Sequence, residues 1–256
     1  NEANSFTNTF NGIYVNAEDN DKLIEILQND NVKNIYPNIE MNLSLNEAVP
    51  LIGADKSFAS GYDGSGIKVG VIDTGIDYRH PDLGGCLVNG CKVIGGYDFV
   101  NGDNDPLDDN GHGTHVAGII AANGVIKGVA PGVKLYAYKV CSGGGSCKEN
   151  DILSAIERST DPNLDGNFDD HLNIISMSLG GEGHPDDVLS KAVDHAVDLG
   201  VISVIAAGNS GSNAYTVDSP GTARKAITVG ASDKSDKIAS FSSRGPTILG
   251  TVKPDI

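Results

Sequence analysis

The chain has 256 residues, of which 39% are hydrophobic and 33 are glycine, a size and composition suited to one compact domain with many tight turns and a small appendage. Its 34 acidic residues against 18 basic ones give a net charge of −16, which disfavours a nucleic-acid partner, since nucleic acids require a basic face, and favours a soluble, salt-tolerant surface or bound cations. No apolar run approaches the ~20 residues of a membrane span, and the lack of an initiator Met and of a signal peptide predicts that the sequence begins inside a longer precursor or a trimmed form of one.

The first 48 residues are predicted to be a small unit of strand, helix and strand. These elements correspond to three segments, FNGIYVNA (10–17), DKLIEILQND (21–30) and VKNIYPNIEMNLSL (32–45). Three elements bury too little apolar surface to be stable alone. We therefore expect residues 1–48 to dock on a larger body.

From residue 49 onward, buried strands alternate with amphipathic helices. Strands are predicted at IKVGVID (67–73), VKLYAYKV (133–140), LNIISMSLG (172–180), VISVIAA (201–207) and AITVGA (226–231), and helices from His112, at ENDILSAIER (149–158) and at DDVLSKAVDHAVDLG (186–200). This alternation predicts an α/β fold with a mostly parallel sheet covered on both faces. In such sheets the chemistry collects at the carboxyl ends of the strands, where Asp73, Ser178 and Asn209 fall.

Four cysteines form two close pairs, Cys86 with Cys91 and Cys141 with Cys147. Zinc ligands are usually spaced by about two to four residues and often include histidine, whereas the segments between these cysteines are rich in Gly, Ser and Asn, as in small closed loops. The pattern favours two local disulfides and therefore an oxidising compartment. A zinc site and four reduced thiols are the alternatives.

Two histidines open the helix in NGHGTHVAGI (110–119). Metalloprotease helices place two histidines at i and i+4 with a glutamate after the first, so that both ligands share a face. Here His112 and His115 are three residues apart, with Gly113 and Thr114 between them. This mismatch favours a general base among the two histidines over a pair of zinc ligands. A metallohydrolase that binds zinc through both histidines remains a third class of function.

Asp73 and Asn209 each follow a buried strand. Asp73 before Thr-Gly could be a simple turn former. Together with His112, however, it suits a carboxylate that orients a histidine while the histidine takes a proton from a hydroxyl group, which are two parts of a nucleophilic triad. Asn209 could be a polar turn residue, or it could donate its amide to a developing oxyanion.

Residues 49–256 resemble the subtilisin-like serine proteases, or subtilases. The similar motifs occur in the family's order: VIDTGID, GHGTHVAG, SMSLGG with AAGNSG, and then FSSRGP and KPDI. The resemblance implies a doubly wound α/β peptidase domain with Asp73 as the orienting acid and His112 as the general base. It makes Asn209 the oxyanion donor and His115 a structural residue of the helix.

The same resemblance implies a groove for an extended peptide or protein substrate, which pairs with strand edges like an added strand. Ser178, Leu179 and Gly180 match one wall of this groove, although they could be a simple strand end. Ala207 and Gly208 match the floor of the first specificity pocket. The protein is then expected to be a secreted endopeptidase.

One departure from the family pattern concerns the nucleophile. The family's catalytic serine lies in a Gly-Thr-Ser-Met block at the start of a helix, and the 256 residues contain no such block. Gly221-Thr222-Ala223 is similar but has alanine in place of serine and precedes a strand. The chain is therefore expected to be a truncated form that does not hydrolyse peptides. The alternative is an inactive peptide-binding fragment or pseudo-enzyme.

Residues 1–48 resemble the C-terminal part of the family's inhibitory propeptide, a small α+β unit whose tail occupies the active-site groove. NIYPN (34–38) carries this similarity, and VPLIGAD (49–55) resembles the start of a mature enzyme. The resemblance implies a zymogen in which the chain's own propeptide is a partner of the groove.

Two acidic loops are candidates for calcium. DPNLDGNFDD (161–170) has oxygen-bearing side chains at its first, third and fifth positions and glycine at its sixth, like the opening of a calcium-binding hand, but Leu172 replaces the glutamate at position twelve. DFVNGDNDPLDDN (98–110) resembles a calcium loop of thermitase-like subtilases, although Leu107 removes one polar candidate. The alternative for the first loop is a solvated acidic turn. The predicted ligands are Asp161, Asn163, Asp165, Asn167, Asp169 and Asp170 in the first loop, and Asp98, Asn101, Asp103 and Asp105 in the second.

Overall fold

The structure is a computed structural model that describes residues 45–256 and, before them, residues 5–6, 12–13, 26, 29 and 31–32. Contacts divide the chain into two compact units, Asn1–Leu43 and Ser44–Ile256. In the first unit, β1 (Ser5–Phe6) pairs antiparallel with β2 (Gly12–Ile13). β2 lies within the first predicted strand, while most of the helix and strand predicted at 21–30 and 32–45 lies outside the described residues.

The second unit contains a six-stranded sheet in which every pair of neighbours is parallel. The strand order is β4-β5-β3-β6-β7-β8. The strands are β3 (Lys68–Asp73), β4 (Val93–Asp98), β5 (Lys134–Lys139), β6 (Ile174–Met177), β7 (Ile202–Ala206) and β8 (Ile227–Val229). The predicted α/β fold with a mostly parallel sheet is confirmed.

The edge strand β4 was not predicted, because its sequence VIGGYD contains two glycines, which weaken a strand pattern. Both glycines allow a close approach to β5. A Cβ atom on Gly95 would lie 2.7 Å from the ring of Tyr136, and one on Gly96, whose φ is +152°, would overlap the carbonyl of Ala137. The missing side chains are therefore a packing requirement of this edge.

Helices cover both faces of the sheet, as the prediction of a doubly wound fold requires. The helices of the second unit are α1 (Leu45–Leu51), α2 (Ala54–Ala59), α3 (His112–Ala121), α4 (Glu149–Thr160) and α5 (Val188–Asp198). Side chains of β3 alternate between the two layers: Ile72 packs in the core with α4 and α5, and Val71 packs in the core with α3. The last three helices were predicted from their periodicity. The short α1 and α2 were not, since VPLIGAD has no helical repeat long enough to detect.

The sheet has a crevice at the carboxyl end of β3. From β3 the chain first builds β4 and β5 on one side, and then crosses to build β6, β7 and β8 on the other. Ligands of open α/β sheets bind where the strand order reverses in this way. Asp73, the last residue of β3, lies at this point.

Candidate active site

Asp73 and His112 form a pair at the end of the central strand. Asp73 is 2% exposed, and His112, the first residue of α3, has a side chain that is half exposed. Asp73 Oδ1 lies 2.7 Å from His112 Nδ1 and also accepts a hydrogen bond from the backbone N–H of Thr74. A buried carboxylate at Nδ1 favours the tautomer protonated there and leaves Nε2 able to accept a proton.

The first turn of α3 is held by side chains that lie outside the helix. Gly111, the residue before it, has a φ of +105° and no side chain with which to cap the helix. The first three backbone N–H groups of an α-helix need acceptors from elsewhere. Here they donate in turn to Asn110 Oδ1, Thr74 Oγ1 and Asp108 Oδ2, from His112, Gly113 and Thr114. The position of His112 is thus fixed by the strand end and by the loop before the helix.

Asp108 accepts more hydrogen bonds around the helix start than Asn110 or Thr74 does, and it was missed by sequence reasoning. Besides the N–H of Thr114, its carboxylate accepts hydrogen bonds from the Thr114 and Thr74 hydroxyl groups and from the backbone N–H groups of Asn110 and Gly111. Burial by itself would raise the pKa of Asp108, but these hydrogen bonds hold it below its usual range. An aspartate four residues before a predicted helix start is the sequence signal that could have identified it.

Gly113 lets α3 approach the end of β3. A Cβ atom at this position would overlap the carbonyl oxygen of Gly75 and lie 3.1 Å from Asp73 Oδ1. Because one obstacle is backbone, small side-chain movements could not relieve the contact. Gly113, between the two histidines, therefore permits the close contact between α3 and the end of β3.

A cavity of about 660 Å³ lies in front of the Asp73–His112 pair. It is lined by the predicted wall Ser178–Gly180 and by the disulfide between Cys141 and Cys147. The second predicted disulfide, Cys86–Cys91, is also formed, so the four cysteines provide neither zinc ligands nor free thiols. The Cys141–Cys147 hairpin contacts the helix start, because Asn110 Nδ2 donates to the carbonyl of Gly143 at 2.9 Å.

The other predicted site residues lie at the end of the neighbouring strand. Ala207 and Gly208 follow β7 directly, and Asn209 comes next with an exposed side chain. Since β6 and β7 are parallel neighbours, these residues share a sheet edge with Ser178–Gly180, although they do not line the 660 Å³ cavity. The backbone N–H of Asp218, another residue that sequence reasoning missed, donates to the carbonyl of Ala207.

His115 is exposed on α3 and is not among the residues that line the cavity. Among the residues that the structure describes, no group of three or more His, Cys, Asp or Glu side chains is arranged to hold a metal ion. The two histidines therefore have different environments: His112 contacts Asp73, and His115 faces solvent.

Gly221-Thr222-Ala223 belongs to the turn before β8. Thr222 and Ala223 are 2% and 0% exposed, and the Thr222 N–H donates to the carbonyl of Asp218. The Thr222 hydroxyl lies 2.9 Å from the hydroxyl of Ser190 in α5. This buried tripeptide is part of the core packing and provides no exposed nucleophile.

The carboxylates of the acidic loop that follows β4 are engaged in hydrogen bonds within the loop. Both oxygens of Asp98, which is 1% exposed, accept hydrogen bonds from Asn101, and Lys139 Nζ lies 3.7 Å from Asp98 Oδ2. Asp105 accepts a hydrogen bond from the hydroxyl of Tyr78, and Asp103 accepts one from the Asp105 N–H. Lys139 Nζ lies closer to Asp109 Oδ1, at 2.8 Å, so its ammonium group is shared between two carboxylates, and calcium binding by this loop stays a prediction.

The loop at 161–170 has the donor chemistry that calcium requires. Asp161 accepts hydrogen bonds from the N–H groups of Asp165 and Gly166, and Asn163 accepts one from Asp165, so the chain winds around its own side-chain oxygens. Most of these residues are exposed, but Asp170 Oδ1 is buried without a hydrogen-bond partner in the described residues. Lys68 Nζ donates to the backbone carbonyl of Asp170 at 3.3 Å, and carboxylate and amide oxygens such as these are the donors that a hard divalent cation prefers.

Residues 64–256 match the family described as the Subtilase family. The chain is 41% identical to serine protease AprX of Bacillus subtilis (strain 168) over 245 residues, which covers 88% of this chain and 54% of that protein. It is 40% identical to the minor extracellular protease Vpr of the same organism over 237 residues, covering 81% of this chain and 28% of Vpr.

Subtilisin DY of Bacillus licheniformis is 46% identical over 203 residues, which covers 77% of this chain and 68% of that protein. The chain thus spans about half the length of AprX and a smaller part of Vpr. Among solved structures, the crystal structure of a cold adapted subtilisin-like serine proteinase matches 72% of this chain and 62% of its own, with 35% identity and a TM-score of 0.61. In the part of the chain that the structure describes, no helix combines the length and apolar character needed to cross a membrane.

Proposed function

Because the chain belongs to the subtilase family, we propose that its protein is a serine endopeptidase that hydrolyses peptide bonds through an Asp-His-Ser triad. Asp73 orients the histidine and His112 is the general base. The observation that carries this proposal is the contact of 2.7 Å between the buried carboxylate of Asp73 and Nδ1 of His112, beside a cavity at the carboxyl end of the central strand.

In this mechanism His112 Nε2 takes the proton of a serine hydroxyl as the oxygen attacks the peptide carbonyl, and then gives it to the leaving amine. Asp73 stays ionised and stabilises the imidazolium that forms between these two steps. The side-chain amide of Asn209 donates to the oxyanion of the tetrahedral intermediate. The substrate lies extended along Ser178–Gly180, with Ala207 and Gly208 at its first specificity pocket.

These 256 residues contain no Gly-Thr-Ser block, so we propose that on their own they do not hydrolyse peptides. The same fact favours a second candidate function, an inactive peptide-binding fragment. Purified chain incubated with a denatured protein substrate should yield no new amino termini above background. Peptidase activity that His112→Ala abolishes would overturn the proposed inactivity.

The proposed activity itself is tested on a form of the protein that continues through a Gly-Thr-Ser block. There, His112→Ala should lower kcat by roughly 10³-fold or more. His115→Ala, the matched control on the same helix, should change stability without a comparable loss of kcat. Equal losses of kcat in the two variants, with folding retained, would refute the assignment of the base.

We also propose that residues 1–48 are the C-terminal part of an inhibitory propeptide, and that residues 49–256 belong to the peptidase domain. The support is the NIYPN motif and the similarity of residues from 49 onward to the family. The two disulfides suit an oxidising compartment and support a secreted protein. A synthetic peptide of residues 1–48 should inhibit the serine-bearing enzyme, and no inhibition would argue against this partner.

We propose calcium as the ion of the 161–170 loop only. Asp161, Asn163 and Asp165 would provide side-chain oxygens, and a backbone carbonyl near Asn167 would add another. The ion would neutralise the loop and order it. Because the loop leads into β6, the end of which forms the groove wall, the effect of calcium would be structural.

A further inference from the structure

Asp218 lies between the two strand ends that form the proposed specificity pocket. A Cβ atom on Gly180, beyond β6, would lie 3.0 Å from the Cβ of Asp218. A Cβ atom on Gly208, beyond β7, would overlap Asp218 Oδ2. The carboxylate therefore projects directly over the glycine of one strand end while its stem packs against the glycine of the other.

The backbone around Asp218 is attached to both strand ends. Its N–H donates to the Ala207 carbonyl at 2.9 Å, next to β7. The following residue, Ser219, exchanges two backbone hydrogen bonds with Gly181, at 2.8 and 3.0 Å, beyond β6. Asp218 is thus held in place before any ligand binds, which lowers the conformational cost of recognition.

Among residues 45–256, the Asp218 carboxylate forms no ion pair. It is half-buried, and the Ser210 hydroxyl donates to its Oδ1 at 3.3 Å. Burial raises the pKa of Asp218, and this hydrogen bond opposes the shift only in part. Within residues 45–256, no Lys or Arg side chain contributes to lowering that pKa, whereas the buried Asp98 lies beside Lys139. An ionised carboxylate at a half-buried position without a counter-charge gains from an incoming cation.

We propose that Asp218 is a specificity-determining residue, which selects substrates with Lys or Arg on the acyl side of the scissile bond. This inference rests on the proposed function, since it takes Gly180 and Gly208 as the flanks of the pocket for that residue. A long cationic side chain that enters between the two glycines reaches the carboxylate and buries its methylene groups along the pocket. A Glu side chain in the same position meets a like charge.

Peptide binding to the 256-residue chain tests this without any catalytic step. The ligands are three labelled hexapeptide amides that differ only in the residue destined for the pocket: Lys, norleucine, which has the same four-carbon stem without the charge, and Glu. Fluorescence anisotropy should give a Kd for the Lys peptide that is at least about tenfold lower than that for the norleucine peptide, and the weakest binding for Glu. If residues 1–48 compete for the groove, they raise all three apparent Kd values by the same factor and leave the ratios unchanged.

Asp218→Asn keeps the shape of the side chain and removes its charge, so it should bring the Lys and norleucine peptides to similar affinities. Asp55→Asn, on the exposed face of α2, changes the net charge equally and should retain the preference. Far-UV circular dichroism checks that both variants fold, and the three wild-type affinities remain a test if Asp218→Asn does not.

The outcomes separate this inference from the proposed function. Similar affinities for the Lys and norleucine peptides, or a preference for Lys that survives in folded Asp218→Asn, would overturn the role of Asp218 while leaving the groove intact. Failure of all three peptides to bind both the chain and a form that begins at residue 49, from which the proposed competitor is absent, would overturn the groove itself and, with it, this inference.

Discussion

The start of α3 and the loop at 161–170 contain the same kind of hydrogen bond, but they differ in how far the acceptor lies from the donor in the sequence. In both, short polar side chains accept hydrogen bonds from backbone N–H groups. At α3 one acceptor is the buried Thr74, 39 positions away from the Gly113 that donates to it. In the loop the acceptors lie at most five residues from their donors, and these bonds are exposed.

This difference separates a rigid site from an adaptable one. The start of α3 is fixed from three directions, by the strand end, by Asp108 and by Asn110, so the base is positioned before any substrate arrives. The loop is held by exposed hydrogen bonds to its own side chains, so it should be easier to perturb than the start of α3.

Gly113→Ala should have the largest effect, because the new methyl group would meet the backbone carbonyl of Gly75. We expect a loss of about 3 kcal/mol of unfolding free energy, measured by urea denaturation, with displacement of His112 from Asp73.

Gly118 provides the matched control in the same helix, since a Cβ atom there has no neighbour within 4 Å. Gly118→Ala should stabilise the protein by about 0.5 to 1 kcal/mol, the usual gain of alanine over glycine within a helix. If the two variants had similar stability, the close approach of α3 to β3 would not be a constraint.

Asp108→Asn should have the next largest effect. The substitution leaves the donor groups of Thr74, Asn110, Gly111 and Thr114 near a helix N-terminus with an acceptor that is weaker because it is uncharged. We expect a loss of about 2 kcal/mol at neutral pH. Asp55→Asn should be nearly neutral, and a similar loss in that variant would remove the special role of Asp108.

The same variant predicts a pH dependence with a defined sign. Because the folded-state pKa of Asp108 is below its ordinary value of 3.8, its stabilising contribution is present above that value and is lost as pH falls through the lower folded-state pKa. The difference in stability between wild type and Asp108→Asn should therefore shrink as the pH is lowered below 3.8. A difference that stays constant down to the acid limit would contradict this linkage.

Calcium should have a smaller effect, confined to the other region. At a free concentration ten times the Kd, binding to the folded state adds about 1.4 kcal/mol. The melting temperature should therefore rise with calcium in the wild type and in Asp103→Asn, but not in Asp165→Asn. If Asp165→Asn keeps the full calcium response, the loop is only a solvated turn.

Much of the fold could be predicted from sequence, because the local periodicity of apolar residues indicates most of its strands and helices. The apolar run before Asp73 indicates a buried strand. The amphipathic repeats of α4 and α5 indicate helices. The strand β4 escaped prediction because the reason for Gly95 and Gly96 lies in the neighbouring strand β5, which local periodicity does not reveal.

The residues of the site differ in the same way, since some can be recognised from the local sequence and others cannot. Asp73 and His112 are recognisable because each occurs in a distinctive motif. Asp108 and Asp218 are not, because an aspartate acquires its role from partners that the fold brings close. Lys139, which lies 3.7 Å from the predicted calcium ligand Asp98, is likewise distant in sequence and could not be placed beside it in advance.

The central claim is that these residues assemble the Asp73–His112 pair even without a nucleophile. Proton NMR of the purified chain tests it most directly, since a histidine Nδ1–H held by a buried carboxylate gives a resonance far downfield of the amide region. This resonance should be present in the wild type and in His115→Ala, and absent from folded Asp73→Asn. Its persistence in Asp73→Asn, or its loss in folded His115→Ala, would contradict the account.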